Sequence, residues 1–326
     1  MNIAELADSG SGLTYGLARR AYDTYLGAWY TLTSRRSFGT NVYDREWDAL
    51  LVLDACRVDA LRAVAPEYDF LDADRIERTV SVGSHSFEWL AKTFTTDRRR
   101  EVAETAYLTA NTHAQMLFVD DDRPPYEREV PGWPDWNPVA AEDFGRLEMI
   151  WRDGHDEALG NVPPRRVTDR LVDVGRSDDH DRVIAHFMQP HAPYIADAVA
   201  EERDPTDFER APLDAFARGE AERERVWEGY LDNLRLVLDE VELALANLDA
   251  ETVAITADHG EAIGELGDVD HREGFLHPVV KTVPWIETTA VDEETYEPEP
   301  TGAADADDGG VDDADVQQRL RDLGYV

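Results

Sequence analysis

Two stretches constrain this chain more than any others. Thr252-Val-Ala-Ile-Thr-Ala-Asp258-His259-Gly260-Glu261 is an apolar run that stops at an acid, an imidazole and a glycine. Trp47-Asp-Ala-Leu-Leu-Val-Leu-Asp54-Ala-Cys56-Arg57 repeats the pattern, a hydrophobic strand ending in a carboxylate. Open α/β sheets bind ligands outside the carboxyl ends of their strands, and charged side chains are rarely buried without a partner. Two strand-end acids far apart in sequence therefore point to one site, and His259 beside one of them points to a cation.

Elsewhere, strand candidates at 48–53, 105–110, 182–188 and 252–257 alternate with helical ones, the signature of a mostly parallel sheet. The expected fold is a three-layer α/β sandwich, with the sheet between helices. Helical periodicity is clearest at 220–248, where Val226, Tyr230, Leu234, Val237, Val241 and Leu245 recur at spacings of three and four. Prolines 124, 125, 131, 134 and 138 make 120–138 an irregular loop or lid. After Val291 the composition collapses to Glu, Pro, Asp, Gly and Ala, which cannot bury enough surface to fold. The expected organisation is an N-terminal helical segment at 1–45, a catalytic domain at 46–290, a disordered acidic linker at 291–314 and a C-terminal helix at 315–326.

Composition sets the solvent. The 326 residues carry 70 acids against 32 bases, a formal charge of -38, and Lys92 and Lys281 are the only lysines. Such a chain repels itself at low salt, whereas molar salt shortens the Debye length to about 3 Å. A halophilic, archaeal cytoplasm is the expectation. Nucleic acid is excluded as a partner because no basic stripe exists to neutralise phosphates. The lone Cys56 cannot form an internal disulfide, and no apolar stretch reaches the length of a membrane span. Residues 13–36 are aromatic-rich, locally basic and helical in period, so they either pack on the main domain or contact a membrane surface or partner.

Four motifs then carry a resemblance. Leu-Asp54-Ala-Cys-Arg57, Gly83-Ser84-His-Ser-Phe-Glu88-Trp89, Gln-Pro-His191-Ala-Pro-Tyr194 and Ala-Asp258-His259-Gly-Glu261, in that order, resemble the sulfatase branch of the alkaline phosphatase superfamily over residues 46 to about 288. The resemblance implies an alkaline-phosphatase-like fold and a metal-dependent hydrolase or transferase acting on sulfate or phosphate esters. It implies Asp54, Asp258 and His259 as ligands to one divalent ion (Mn, Zn, Mg or Ca), with the nucleophile as a further ligand. Formylglycine sulfatases carry Cys or Ser followed by x-Pro-x-Arg, which is missing here, so that cofactor is not expected. The spacing of Ser84, Glu88 and Trp89 is similar to the segment after the nucleophilic threonine of lipoteichoic acid synthase and related phosphoglycerol transferases. Ser84 is accordingly the expected nucleophile and metal ligand, with Ser86 as the alternative. His191 is the expected catalytic and substrate-contacting histidine, and His277 a second substrate contact.

Chemistry agrees with that set of residues. Cleaving a tetrahedral, anionic ester needs a deprotonated oxygen nucleophile and positive charge facing the ester oxygens, and a divalent ion supplies both. The expected substrate is a small-molecule, glycan-linked or lipid-linked sulfate or phosphate ester. The rival reading is a catalytically silent scaffold of the same fold that binds an anionic glycan or a partner.

Overall fold

The computed structural model describes residues 12–125, 129–177 and 180–299. Its centre is a seven-stranded sheet made of β1 (Ala49–Leu53), β2 (Glu77–Val80), β3 (Thr105–Thr109), β4 (Arg146–Met149), β5 (Arg182–Phe187), β6 (Ala250–Thr256) and β9 (Thr282–Ala290). A short antiparallel pair, β7 (Ala262–Ile263) and β8 (Val269–Asp270), stands apart from it. The order in the main sheet is β2-β9-β6-β1-β5-β3-β4. Neighbours from β6 to β4 run parallel, while β9 is antiparallel to both β6 and β2.

The four expected strands are the four at the middle of this sheet. β1 and β3 are buried at every residue, β5 at all but Arg182 and β6 at all but Glu251 and Thr252, so each reads as a nearly unbroken apolar run. Periodicity did not reveal the two edges, β2 and β4, for a physical reason. Edge strands carry polar side chains that discourage pairing with another chain, and Glu-Arg-Thr-Val and Arg-Leu-Glu-Met look like loop until a neighbour is placed beside them.

Helices flank the sheet. Among them are α1 (Gly12–Thr33), α2 (Val58–Val64), α3 (Ser86–Thr93), α4 (Pro164–Gly175) and α5 (Arg223–Leu245). The long periodic segment forms α5, with Val226, Tyr230, Leu234, Val237 and Val241 fully buried. α1 lies against the body of the protein: Leu26 and Tyr30 are wholly buried, and Tyr22 and Tyr25 donate to the Glu273 and Gly274 carbonyls at 2.7 and 2.5 Å. The proline-rich segment carries no helix or strand in its described residues. It presses on α1 so closely that a Cβ at Gly27 would stand 1.6 Å from the Pro131 carbonyl oxygen.

One boundary is corrected. β9 ends at Ala290, yet 291–299 is not a detached linker: Arg176 pairs with Asp292 at 2.8 Å, Asn247 Oδ1 accepts from the Tyr296 amide, and Tyr296 donates to Asp169 at 2.5 Å. Acidic residues that cannot form a core still bind an arginine-bearing helix end. The rest of the expected linker and the C-terminal helix at 315–326 lie outside the described residues. Among the described residues, no helix is long and apolar enough to cross a membrane.

Candidate active site

β1 and β6 are neighbours with Val52 opposite Thr256, so two residues further on Asp54 and Asp258 emerge side by side. Asp54, Asp258 and His259 are completely buried, and a donor atom from each lies within 4.8 Å of the others. His259 Nε2 is 3.5 Å from Asp54 Oδ1 and 3.3 Å from Asp258 Oδ2. The chain turns sharply to make this junction: Ala55 adopts φ 60°, a left-handed conformation, and its N–H donates to Asp258 Oδ1 at 3.1 Å. The His259 N–H donates to the same oxygen at 2.9 Å, which leaves Asp258 Oδ2 buried with no hydrogen-bond partner among the described residues.

This geometry fits a divalent cation. His259 Nδ1 lies 2.9 Å from the Gly260 carbonyl, which can only accept, so Nδ1 holds the proton and Nε2 presents a lone pair to the carboxylates. Burial lowers the His259 pKa and keeps the ring neutral. Asp54 also stays ionised: burial pushes its pKa up, but the imidazoles of His186, His191 and His259 hold it well below the usual range. Acceptors facing one another at 3.3–3.5 Å repel unless a cation lies among them. Two carboxylates and an imidazole suit Mn, Zn, Mg or Ca. Asn111, at the tip of β3, donates to Asp54 Oδ2 at 2.9 Å and steadies it.

The structure separates the two serines. Ser84 Oγ donates to Glu88 Oε2 at 2.7 Å and accepts from the Gly274 amide at 2.8 Å, so both of its capacities are used away from the carboxylates. Ser86 Oγ instead lies 3.1 Å from His259 Nε2 and 3.3 Å from Asp54 Oδ2. The cause is the phase of the turn. His85 is the N-cap of α3, its ring accepting from the Phe87 amide, and Ser86 is the first helical residue, facing the strand tips. Gly83 permits the approach, because a Cβ there would stand 2.5 Å from the Trp89 backbone nitrogen.

Behind Ser84 lies a buried charged cluster. Glu88 accepts from Lys92 Nζ at 2.5 Å, from Trp29 Nε1 at 2.9 Å and from the Ser84 amide and hydroxyl at 2.7 Å each. Lys281 Nζ donates to the Gly83 carbonyl at 3.0 Å. The only two lysines of the chain thus both face Glu88, whose carboxyl falls to about 2: burial opposes the fall and the two ammonium groups drive it.

A second group of donors stands beside the first. His191, Glu261 and His271 bring ligand atoms within 4.8 Å of one another, and all three are buried. The His271 ring stacks on His259 at 4.3 Å, and its Nδ1 lies 2.8 Å from Asp270 and 3.3 Å from Glu261. Burial opposes its protonation, but those two carboxylates raise its pKa well above the ordinary value. His85 lies 4.9 Å from the His113 ring and 5.2 Å from that of His271, and burial among imidazoles lowers its pKa well below the usual range. The expectation of one cation therefore meets two groups able to hold one.

Other expected residues are placed elsewhere. His277 caps the helix Pro278–Lys281, Nδ1 accepting from the Val279 amide at 3.2 Å, so it is not brought into the cluster. The Arg57 guanidinium is used on Asp59, Glu265 and the Glu261 carbonyl, where it secures the loop bearing Glu261. Burial pushes the Cys56 thiol up, so it is inert. His186 is more than a core residue. Its Nδ1 is 2.9 Å from the Tyr107 hydroxyl, and its Nε2 lies 3.7 and 3.8 Å from Asp54 and Asp258, beneath both. The sequence left His271, with His191 and His277, as a candidate for a further ligand, whereas Glu261 was not read as one. Asp270-His271 repeats Asp258-His259 twelve positions on, and that second dyad was the available signal.

No family model and no curated protein matches the chain. Among solved structures it is similar to the soluble domain of lipooligosaccharide phosphoethanolamine transferase A from Neisseria meningitidis, with 15% identity, a TM-score of 0.48 and 74% of this chain aligned to 75% of that one. The C-terminal periplasmic domain of a phosphoethanolamine transferase from Campylobacter jejuni gives 14%, 0.45, 74% and 78% in the same order. A 2-O GAG sulfatase gives 11%, 0.38, 74% and 63%. At such identities the likeness is one of fold.

Proposed function

We propose that this chain is a metal-dependent enzyme that cleaves or transfers phosphate or sulfate esters, with Ser86 as its nucleophile. The observation that carries this reading is the Ser86 hydroxyl, 3.1 Å from His259 Nε2 and 3.3 Å from Asp54 Oδ2, at the first residue of a helix. Asp54, Asp258 and His259 are the ligands. A divalent ion held there supplies the charge that favours a deprotonated hydroxyl and draws an ester oxygen.

The chain's own residues do the rest. Ser86 Oγ attacks the phosphorus or sulfur, and the positive end of the α3 dipole favours the negative charge that accumulates. Asn111 and the Ala55 and His259 amides fix the two carboxylates, so no reorganisation is needed during the reaction. His191 and His271 stand beside the ligand group, where an imidazole can donate a proton to the leaving oxygen. Water or an acceptor alcohol then resolves the serine ester. Lys92 and Lys281, committed to Glu88 and the Gly83 carbonyl, take no part in clamping the substrate.

The test uses aryl phosphate mono- and diesters beside aryl sulfate, in molar salt with each candidate metal. Ser86→Ala should lower turnover at least about a thousandfold with metal content by elemental analysis unchanged. Ser84→Ala should keep the chemistry while losing stability. A folded Ser84→Ala without activity, beside an active Ser86→Ala, refutes the assignment.

A further inference from the structure

α1 is apolar on two faces, and only one of them is covered by the described residues. Tyr22, Leu26, Trp29, Tyr30 and Thr33 turn inward. Leu17, Ala21, Thr24, Ala28 and Leu32 recur at spacings of four, three, four and four, which places them along the opposite face, and all are exposed. At 1.5 Å per residue this ridge is about 22 Å long. Leu17 is 60% exposed, Leu32 70%, Phe38 59% and Trp133 81%. Trp133 is fastened at the same end, its amide donating to Thr31 Oγ1 and its carbonyl accepting from Arg35.

The charge around the ridge is the reverse of the charge elsewhere. Residues 12–36 hold Arg19, Arg20, Arg35 and Arg36 against Asp23 alone, within a chain of net charge -38. Among the described residues, Asp135 approaches Arg35 at 3.6 Å. Charges farther than a Debye length from a docked surface, about 8 Å at physiological ionic strength and about 3 Å in molar salt, are largely screened, so this local excess of arginine decides what the face attracts.

We infer that the outer face of α1, with Phe38 and Trp133, docks on an anionic lipid bilayer. A narrow apolar ridge flanked by arginines, with an exposed tryptophan at its end, is what an interfacial helix presents to headgroups and acyl chains. A second copy of the chain is a poor occupant, since its own Arg19, Arg20, Arg35 and Arg36 would face those of the first. The inference uses none of the active-site chemistry, so it stands or falls independently of the proposed reaction.

The experiment is flotation of the full chain with vesicles of phosphatidylglycerol and phosphatidylcholine, beside vesicles of phosphatidylcholine alone. Wild type should float with the anionic vesicles. Leu17→Glu/Leu32→Glu/Trp133→Glu should bind at least tenfold more weakly, with unchanged circular dichroism and unchanged turnover of a small soluble ester. Arg19→Gln/Arg20→Gln/Arg36→Gln should lose the preference for phosphatidylglycerol. Equal binding by wild type and the triple glutamate variant overturns the inference. So does light scattering that shows a wild-type dimer which the same variant converts to a monomer, because the face is then a contact between copies.

Discussion

Glu88→Gln isolates the buried cluster behind the active-site turn. The substitution keeps the shape of the side chain and removes the charge that neutralises both lysines. Glu88 accepts four hydrogen bonds, one of them from Lys92 Nζ, with no solvent to replace any of them. The glutamine amide turns a donor towards either the lysine or Ser84. Removing one member of a buried ion pair costs about 3–5 kcal/mol. The acidity of the group gives a consistent figure: a carboxyl held at about 2 instead of 4.5 contributes about 3 kcal/mol, at about 1.4 kcal/mol per pH unit. The sign follows from the lowered value. The contribution is fully present above pH 4.5 and is lost as pH falls towards 2, so about 1.4 kcal/mol should remain at pH 3. Denaturant unfolding of wild type and variant in molar salt, followed by near-ultraviolet circular dichroism from pH 7 to 3, measures the difference at each pH. A gap under 1 kcal/mol at neutral pH, or one that does not shrink in acid, refutes this account of the cluster.

Three further outcomes are expected. Asn111→Ala removes the donor to Asp54 Oδ2 and should weaken metal binding about 10–100-fold, read by equilibrium dialysis. Gly260→Ala would set a Cβ 2.0 Å from the Val279 carbonyl oxygen, so a loss of about 3 kcal/mol or failure to fold is expected, read by denaturant unfolding. The melting temperature should climb steadily as potassium chloride rises from 0.1 M to molar levels, because screening removes the self-repulsion of the acidic surface, and a flat profile contradicts that reasoning.

The sequence was most legible where one physical constraint acted alone. A strand buried on both faces must be apolar throughout, so an acid at its tip is conspicuous, and Asp54 and Asp258 could be read directly. Ser84 and Ser86 differ only in helical phase, and Glu88 four residues after Ser84 looks like support for a nucleophile, although it is a counter-charge for two lysines. Position in sequence cannot tell these apart, because the lysine at 281 and the amide at 274 arrive only with the tertiary fold. Glu261 and His271 lie on the loops around β7 and β8, where no periodicity marks them, and His277 was favoured by a motif but is used locally as a helix cap.

Ala55 and Asp258 are 203 residues apart in sequence and joined by a hydrogen bond. β6 follows β3, β4 and β5 along the chain yet lies beside β1, so no amino-terminal fragment that stops short of it owns even half of the ligand set. Recovery of turnover during refolding would consequently report the last strand to arrive rather than the first to form. Such distant pairings close slowly, and return of activity should lag behind return of helical signal.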